Sequence, residues 1–286
     1  MLYLKEFFTF QSDVRNLSGT TLETYRVSLK LYAVYLAENG INGAEQATTA
    51  DVAAFIAGER QRGCSAPTCN CRLAALRTYY DYLCRFQGVQ FNPCVDIRPM
   101  RTPRNLPDAI NEDTMHEVLN QFDTTSWHGA RAAAIVTTLY MCGFRISELR
   151  TLKLGQVDFT QNTIKVFGKG SKERVVPMSR QVVQSIRNWL RFRWGDVSEV
   201  FTDNHGNALT DDKLRYIIKQ SLSPFVPAHL AHPHALRHSF ATTLVNHGVP
   251  LPKISRMLGH ASLATTYIYI AAGEPQTNPF DDYVNL

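Results

Sequence analysis

Between Asn92 and Pro107 the chain reads NPCVDIRPMRTPRNLP, and Pro93, Pro99, Pro103 and Pro107 are spaced too closely for a helix to run through. Arg98, Arg101 and Arg104 keep the same stretch solvated, so it reads as a linker. A chain divided in this way must fold as two bodies, each with its own core. Its 286 residues suffice, since about 150 residues per domain gives an expectation of about two. We place the linker proper at residues 98–107, a first domain at 1–97, a second at 108–271 and a tail at 272–286.

The first body is helical by pattern. Leu22, Tyr25, Leu29, Tyr32 and Leu36 recur at three- and four-residue steps, with Ser18 and Thr20 or Thr21 available as caps. Asp51 to Gln61 and Pro67 to Phe86 repeat the pattern. In the latter, Leu73, Leu76, Tyr80 and Leu83 face inward and Arg72 and Arg77 outward. The helical pattern resumes after the linker as far as Met141. From Gln156 to Pro177 the period changes to two, and VDF, TIKVFG and ERVVPM read as three short antiparallel strands. Helices are then expected near 179–192, 211–221, 234–246, 252–258 and 263–271. The fold class is mainly α with a small antiparallel β-sheet.

A 44% apolar and 19% charged composition argues against a wholly disordered chain. No run approaches the roughly 18 apolar residues of a membrane span. Lys and Arg exceed Asp and Glu by five, which suits a polyanionic partner without requiring one. Residues 1–105 hold 12 basic and 9 acidic side chains, so neither half is a basic tail and a binding surface must be assembled by folding. The six cysteines lack paired C-x2-C spacing; with no secretory signal, reduced cytoplasmic thiols are the expectation.

Four clusters carry chemical potential, and each has a plainer reading when taken singly. In GFRISELR, Arg145 and Glu148 share a helical face and can pair, as many surface residues do. In VFGKGSKERVVPM, Lys169 stands between two glycines at a hairpin tip, presented outward or merely solvated. In HPHALRHSFATTL, His234, Arg237 and His238 follow one face of a helix. Four of nine histidines (His229, His232, His234 and His238) fall within ten residues, which invites a zinc reading; Ala235 in place of a glutamate and the arginine among the histidines argue against it. In ISRMLGHASLATTYIYI, His260 opens a turn before a helix carrying Tyr267 and Tyr269, which elsewhere would be packing residues.

Together they describe a site for a phosphodiester. Guanidinium forks match the non-bridging oxygens of a pentacoordinate phosphorus without a metal, a role open to Arg145 and Arg237. A tyrosine hydroxyl with an ordinary pKa near 10 needs a proton acceptor, and a departing 5'-oxygen needs a donor. His234 and Lys169 can serve.

The ordered set GFRISEL, GKGSKERVVP, HALRHSFAT, LGH and a tyrosine nine residues after His260 resembles the tyrosine recombinase family, strongly over residues 108–271. The helical first domain resembles that family's core-binding domain, and the overall layout is similar to Xer-like small recombinases and integrases. The resemblance implies a two-domain architecture and a covalent 3'-phosphotyrosyl link to Tyr269, with Arg145 and Arg237 on the phosphate. It makes Lys169 the donor to the 5'-oxygen, His234 the acid/base, His260 a hydrogen-bond donor to the phosphate and Glu148 a supporting acid. It implies no cofactor and no metal. The partner implied is double-stranded DNA with a specific recombination site, held by a homotetramer or by a heterotetramer with a second recombinase, and passing through a Holliday junction. Arg72, Arg77, Arg101 and Arg104 are candidate DNA contacts. Tyr267 competes with Tyr269, but the spacing from His260 favours the latter, and a two-residue step turns Tyr267 to another face. Pro275 and Pro279 depart from a helical tail, although Phe280 and Tyr283 remain candidate anchors for a neighbouring subunit. Alternatives from other classes are a non-catalytic DNA-bending protein and a zinc hydrolase; within strand-passing enzymes, a type IB topoisomerase is another.

Overall fold

The computed structural model describes residues 3–102, 108–167 and 173–259. The chain divides into two compact units, Met1–Arg104 and Asn105–Leu286.

In the N-terminal unit, α1 (Leu4–Thr9) continues into a π-helical turn, Phe10–Val14, and is followed by α2 (Gly19–Glu38), α3 (Thr49–Gln61) and α4 (Ala66–Phe86). Ser18, Thr48 and Ser65 cap the last three, their hydroxyls accepting N–H groups that the first turn leaves unpaired. The expected stripes face one core of Leu29, Tyr32, Leu36, Leu73, Leu76, Tyr80 and Leu83. Two tyrosines buried there satisfy their hydroxyls in series. Tyr80 donates to the Ala44 carbonyl at 2.9 Å and meets the Tyr32 hydroxyl at 2.9 Å. Helix α1, too short to carry a full stripe, is anchored by Phe7, whose ring packs edge-on against Tyr79 and Tyr82.

Two expectations for this unit are corrected. Arg72 and Arg77 do not face outward: Arg72 pairs with the buried carboxylate of Glu59, and Arg77 donates to the carbonyls of Cys94 and Ile97 at 3.1 and 2.7 Å. The stretch after Asn92 is not a free tether over its first half. Asn70 exchanges two hydrogen bonds with the Met100 backbone, at 2.9 and 2.7 Å, and Asn92 caps onto Asp81 at 2.7 Å. Proline-rich backbone has few partners of its own, so its carbonyls take donors from α4. Arg101 is exposed; Arg104 lies outside the described residues.

The C-terminal unit comprises α5 (Glu112–Asn120), α6 (Trp127–Cys142), α7 (Ile146–Arg150), β1 (Val157–Asp158), β2 (Thr163–Phe167), β3 (Glu173–Pro177), α8 (Arg180–Phe192), α9 (Asp211–Leu222), α10 (Pro233–Asn246) and α11 (Leu251–Leu258). Helix α6, apolar on nearly every side, is the buried axis against which α5, α7, α8, α9 and α10 pack. The three strands form an antiparallel sheet in the order β1-β2-β3, with Ile164 opposite Val176 and Val166 opposite Arg174. Alternation buries Ile164, Val166 and Val176 in the core, and it also turns Arg174, two residues before Val176, toward the interior. Helix α6 ends at Gly143, whose φ of 63° is left-handed. A Cβ there would lie 2.5 Å from the Phe240 ring and 2.9 Å from Leu258, so only glycine lets α10 and α11 close on the end of α6.

Candidate active site

Glu148 is the hub. It occupies the third position of α7, where its carboxylate accepts the Arg145 backbone N–H at 2.8 Å and closes the helix start. The same carboxylate, with a side chain only 4% exposed, gathers three guanidinium groups. Arg174 grips it with both terminal nitrogens, each at 2.8 Å. Arg145 reaches Oε1 at 2.9 Å, and Arg237 stands 4.0 Å from Oε2. Burial pushes the Glu148 carboxyl up. The hydrogen bonds and charge of Arg174, then those of Arg145, outweigh it and hold the group below the usual carboxylate range. Among the described residues, three cations against one anion leave a local surplus of two positive charges.

The arginines also hold the end of α11. The last carbonyls of a helix have no partner within it, and here three successive ones each receive a different arginine. Arg174 Nε donates to Met257 O at 2.8 Å, Arg237 to Leu258 O at 2.6 Å and Arg145 to Gly259 O at 3.3 Å. Arg237 also donates to Gly143 O at 2.6 Å, tying together the ends of α6 and α11. Gly259, at φ 63°, leaves room for Arg174, which a Cβ would approach to 2.9 Å. Arg237 is buried, whereas Arg145 keeps about a third of its side chain exposed (34%). The pocket is therefore a rigid cationic floor with Arg145 at its rim.

His234, one turn before Arg237 on α10, stands at the surface. Desolvation of its inner edge, followed by the charges of His232, Arg237, Arg215 and Arg145, lowers its pKa below the usual imidazole range. It is neutral at pH 7 and can accept a proton. His238, one turn on, is lowered further, to about 4, chiefly by burial and then by the neighbouring histidines and Arg237. The other histidines of the cluster have separate tasks. His232 caps α10 by accepting the Ala235 N–H at 3.1 Å, and His229 faces Asp108 at 3.3 Å. Among the described residues, no group of three or more His, Cys, Asp or Glu side chains converges on a metal position.

The structure thus brings together Arg145, Glu148, His234 and Arg237 from α7, its leading turn and α10. It adds Arg174, which the sequence reading did not select. The signal for it was the strand alternation, which places position 174 on the side of Val176. Lys169, His260, Tyr267 and Tyr269 lie outside the described residues, as do Phe280 and Tyr283.

A mainly helical fold with a three-stranded sheet carries a cluster of arginines around one buried carboxylate, with a histidine nearby, a set of groups suited to an anionic ligand. Residues 109–274 match the phage integrase family, and residues 4–87 match its N-terminal SAM-like domain. The chain is similar to the tyrosine recombinase XerC of Xylella fastidiosa, with 32% identity over 92% of this chain and 90% of that one. It is also similar to XerC of Bacillus pumilus, with 29% identity over 92% and 89%. Its fold resembles the XerH site-specific recombinase bound to a palindromic difH substrate, at a TM-score of 0.76 and 22% identity over 91% of this chain and 78% of that one. The chain belongs to the phage integrase family and is a Xer-like tyrosine recombinase, an enzyme of site-specific DNA recombination that works through a tyrosine intermediate.

Proposed function

We propose that Tyr269 is the nucleophile and that the Glu148-centred floor is the phosphate seat. The observation that carries this reading is the convergence of Arg145 and Arg237 on one buried carboxylate beside a neutral His234. In the first step the Tyr269 hydroxyl gives its proton to His234 and its oxygen bonds to phosphorus. The P–O5' bond breaks, and Lys169 protonates the departing 5'-oxygen. The product is a 3'-phosphotyrosyl link with a free 5'-hydroxyl. Arg145 and Arg237, with a hydrogen bond from His260, stabilise the charge that builds on the non-bridging oxygens. Attack by a 5'-hydroxyl from a second duplex reverses these transfers. The bond energy stays in the phosphotyrosine, and neither ATP nor a metal enters the chemistry.

In this reading the domain at 1–97 and the catalytic domain at 108–271 clasp duplex DNA, with the segment at 98–107 between them. Four subunits, identical or paired with a second recombinase, join two specific sites through a Holliday junction in the cytoplasm. The tail at 272–286, with Phe280 and Tyr283, is the candidate link between subunits. Arg101 and Arg104 are the candidate contacts to backbone phosphates, which would make affinity fall steeply with salt.

The test is covalent trapping on nicked suicide duplexes tiled across the DNA flanking the gene, run on denaturing gels. An adduct retained by Tyr267→Phe, lost with Tyr269→Phe and indifferent to chelator is the expected result. Loss with Tyr267→Phe alone, or with chelator, overturns the assignment.

A further inference from the structure

Arg174 has no part in the chemistry just described, yet three of its nitrogens hydrogen-bond within the site. Its fork occupies both Glu148 oxygens at 2.8 Å, its Nε holds Met257 O at 2.8 Å, and its guanidinium carbon lies 5.9 Å from the Phe144 ring centre. Its side chain is only 11% exposed. We infer that Arg174 is a positioning residue for cleavage: by satisfying Glu148, it keeps Arg145 and Arg237 directed at the scissile phosphate. This rests on the phosphate-seat reading above and names the residue that maintains it.

The physical reason is charge matching. A carboxylate that is 4% exposed must be paired where it stands, and among the described residues the cations within reach are Arg174, Arg145 and Arg237. Arg174 alone supplies a planar two-point grip, so Arg145 gives Glu148 one side-chain nitrogen and its backbone N–H, keeping an exposed edge. Without Arg174, Glu148 would draw Arg145 and Arg237 inward. The cationic surplus at the floor would fall from two to one. The Met257 carbonyl would also lose its donor at the end of α11, the helix that leads directly to His260.

The experiment measures single-turnover adduct formation and duplex affinity on the suicide substrate that the wild-type chain cleaves. Arg174→Met should slow cleavage about 100-fold, as loss of a group that orients other groups commonly does, while affinity stays within about twofold. The decisive arm is Glu148→Gln in the Arg174→Met background, which removes the stranded charge and should recover about tenfold of the lost rate. A purely structural arginine would give no such rescue. Should Arg174→Met fail to fold, Arg174→Lys keeps the charge without the fork and should slow cleavage about tenfold. A wild-type rate in the folded variant, or a double variant no faster than Arg174→Met, overturns the inference. If the wild-type chain forms no adduct on any duplex, the phosphate-seat reading fails instead.

Discussion

Each unit buries one glutamate among arginines, and the two clusters differ in how they use them. Glu59 in the N-terminal unit is 3% exposed and pairs with Arg62, on the same helical turn, and with Arg72 of α4. Glu148 in the catalytic unit is 4% exposed and draws Arg145 from the start of α7, Arg174 from β3 and Arg237 from α10. The first cluster joins two neighbouring helices and leaves a surplus of one positive charge, with Arg62 itself largely in solvent (61% exposed). The second joins five elements, counting the carbonyls at the ends of α6 and α11, and leaves a surplus of two beside a histidine. A buried ion pair is therefore no mark of an active site. What sets the Glu148 cluster apart is convergence from more elements and a larger positive surplus.

The largest expected effect breaks this comparison on the rate axis. Arg237→Ala should lower single-turnover cleavage by about a thousandfold, the scale of losing a donor to a developing oxyanion. Arg72→Ala, assayed well below its unfolding temperature, should stay within about threefold of wild type, because its partner lies in the other cluster. Equal losses from both variants would place the N-terminal cluster in the chemistry.

On the stability axis the clusters should look alike. Glu59→Ala and Glu148→Ala each strand buried guanidinium groups, at a cost of about 3 to 5 kcal/mol. Chemical unfolding with hydrogen exchange would assign each loss to its own unit. Arg62→Ala, which removes only the exposed partner, should cost less than about 1 kcal/mol. A comparable cost for Arg62→Ala would mean that exposure does not decide the worth of these pairs.

The contrast also explains what could be read in the sequence. The stripes of α2 and α4, the Ser18 cap of α2 and the two-residue period of β2 and β3 are local patterns, and the structure follows them. Arg145, Glu148 and Arg237 stood out because their motifs are local too. Arg72 and Arg77 were misplaced because a helical wheel shows which face is polar but not whether a partner covers it. Glu59 lies on another helix, and the carbonyls of Cys94 and Ile97 lie beyond the end of α4. Arg174 was missed for the converse reason. A charged residue in ERVVP reads as solvent-facing until the register with β2 and the presence of Glu148 give it an inward partner. α1 depends on Phe7 meeting Tyr79 and Tyr82, a tertiary contact that no pattern in ten residues contains.

The smallest expected effect sharpens the comparison through pH, since all nine histidines lie at position 116 or beyond and the N-terminal unit has none. The folded state holds His238 at about 4, below its ordinary 6.5. Between those values the unfolded chain binds a proton that the folded chain refuses, so stability falls as pH falls through that window. From pH 7 to pH 5 the loss from His238 is about 1 to 2 kcal/mol. Glu148, held below its ordinary 4.5, adds to it only at lower pH: its stabilisation is complete above that value and is lost as pH drops through the folded one. Cleavage should also decline in acid as His234 takes up a proton and ceases to accept one from the tyrosine. Its lowered pKa puts that decline below pH 6.5. Hydrogen exchange at pH 7 and pH 5, corrected for intrinsic rates, should show protection lost in α10 and kept in α2 and α4. Replacing His238 with glutamine should remove most of the difference while leaving the decline in cleavage. Equal loss of protection in both units would mean that acid acts on the whole chain, not through the histidines of the site.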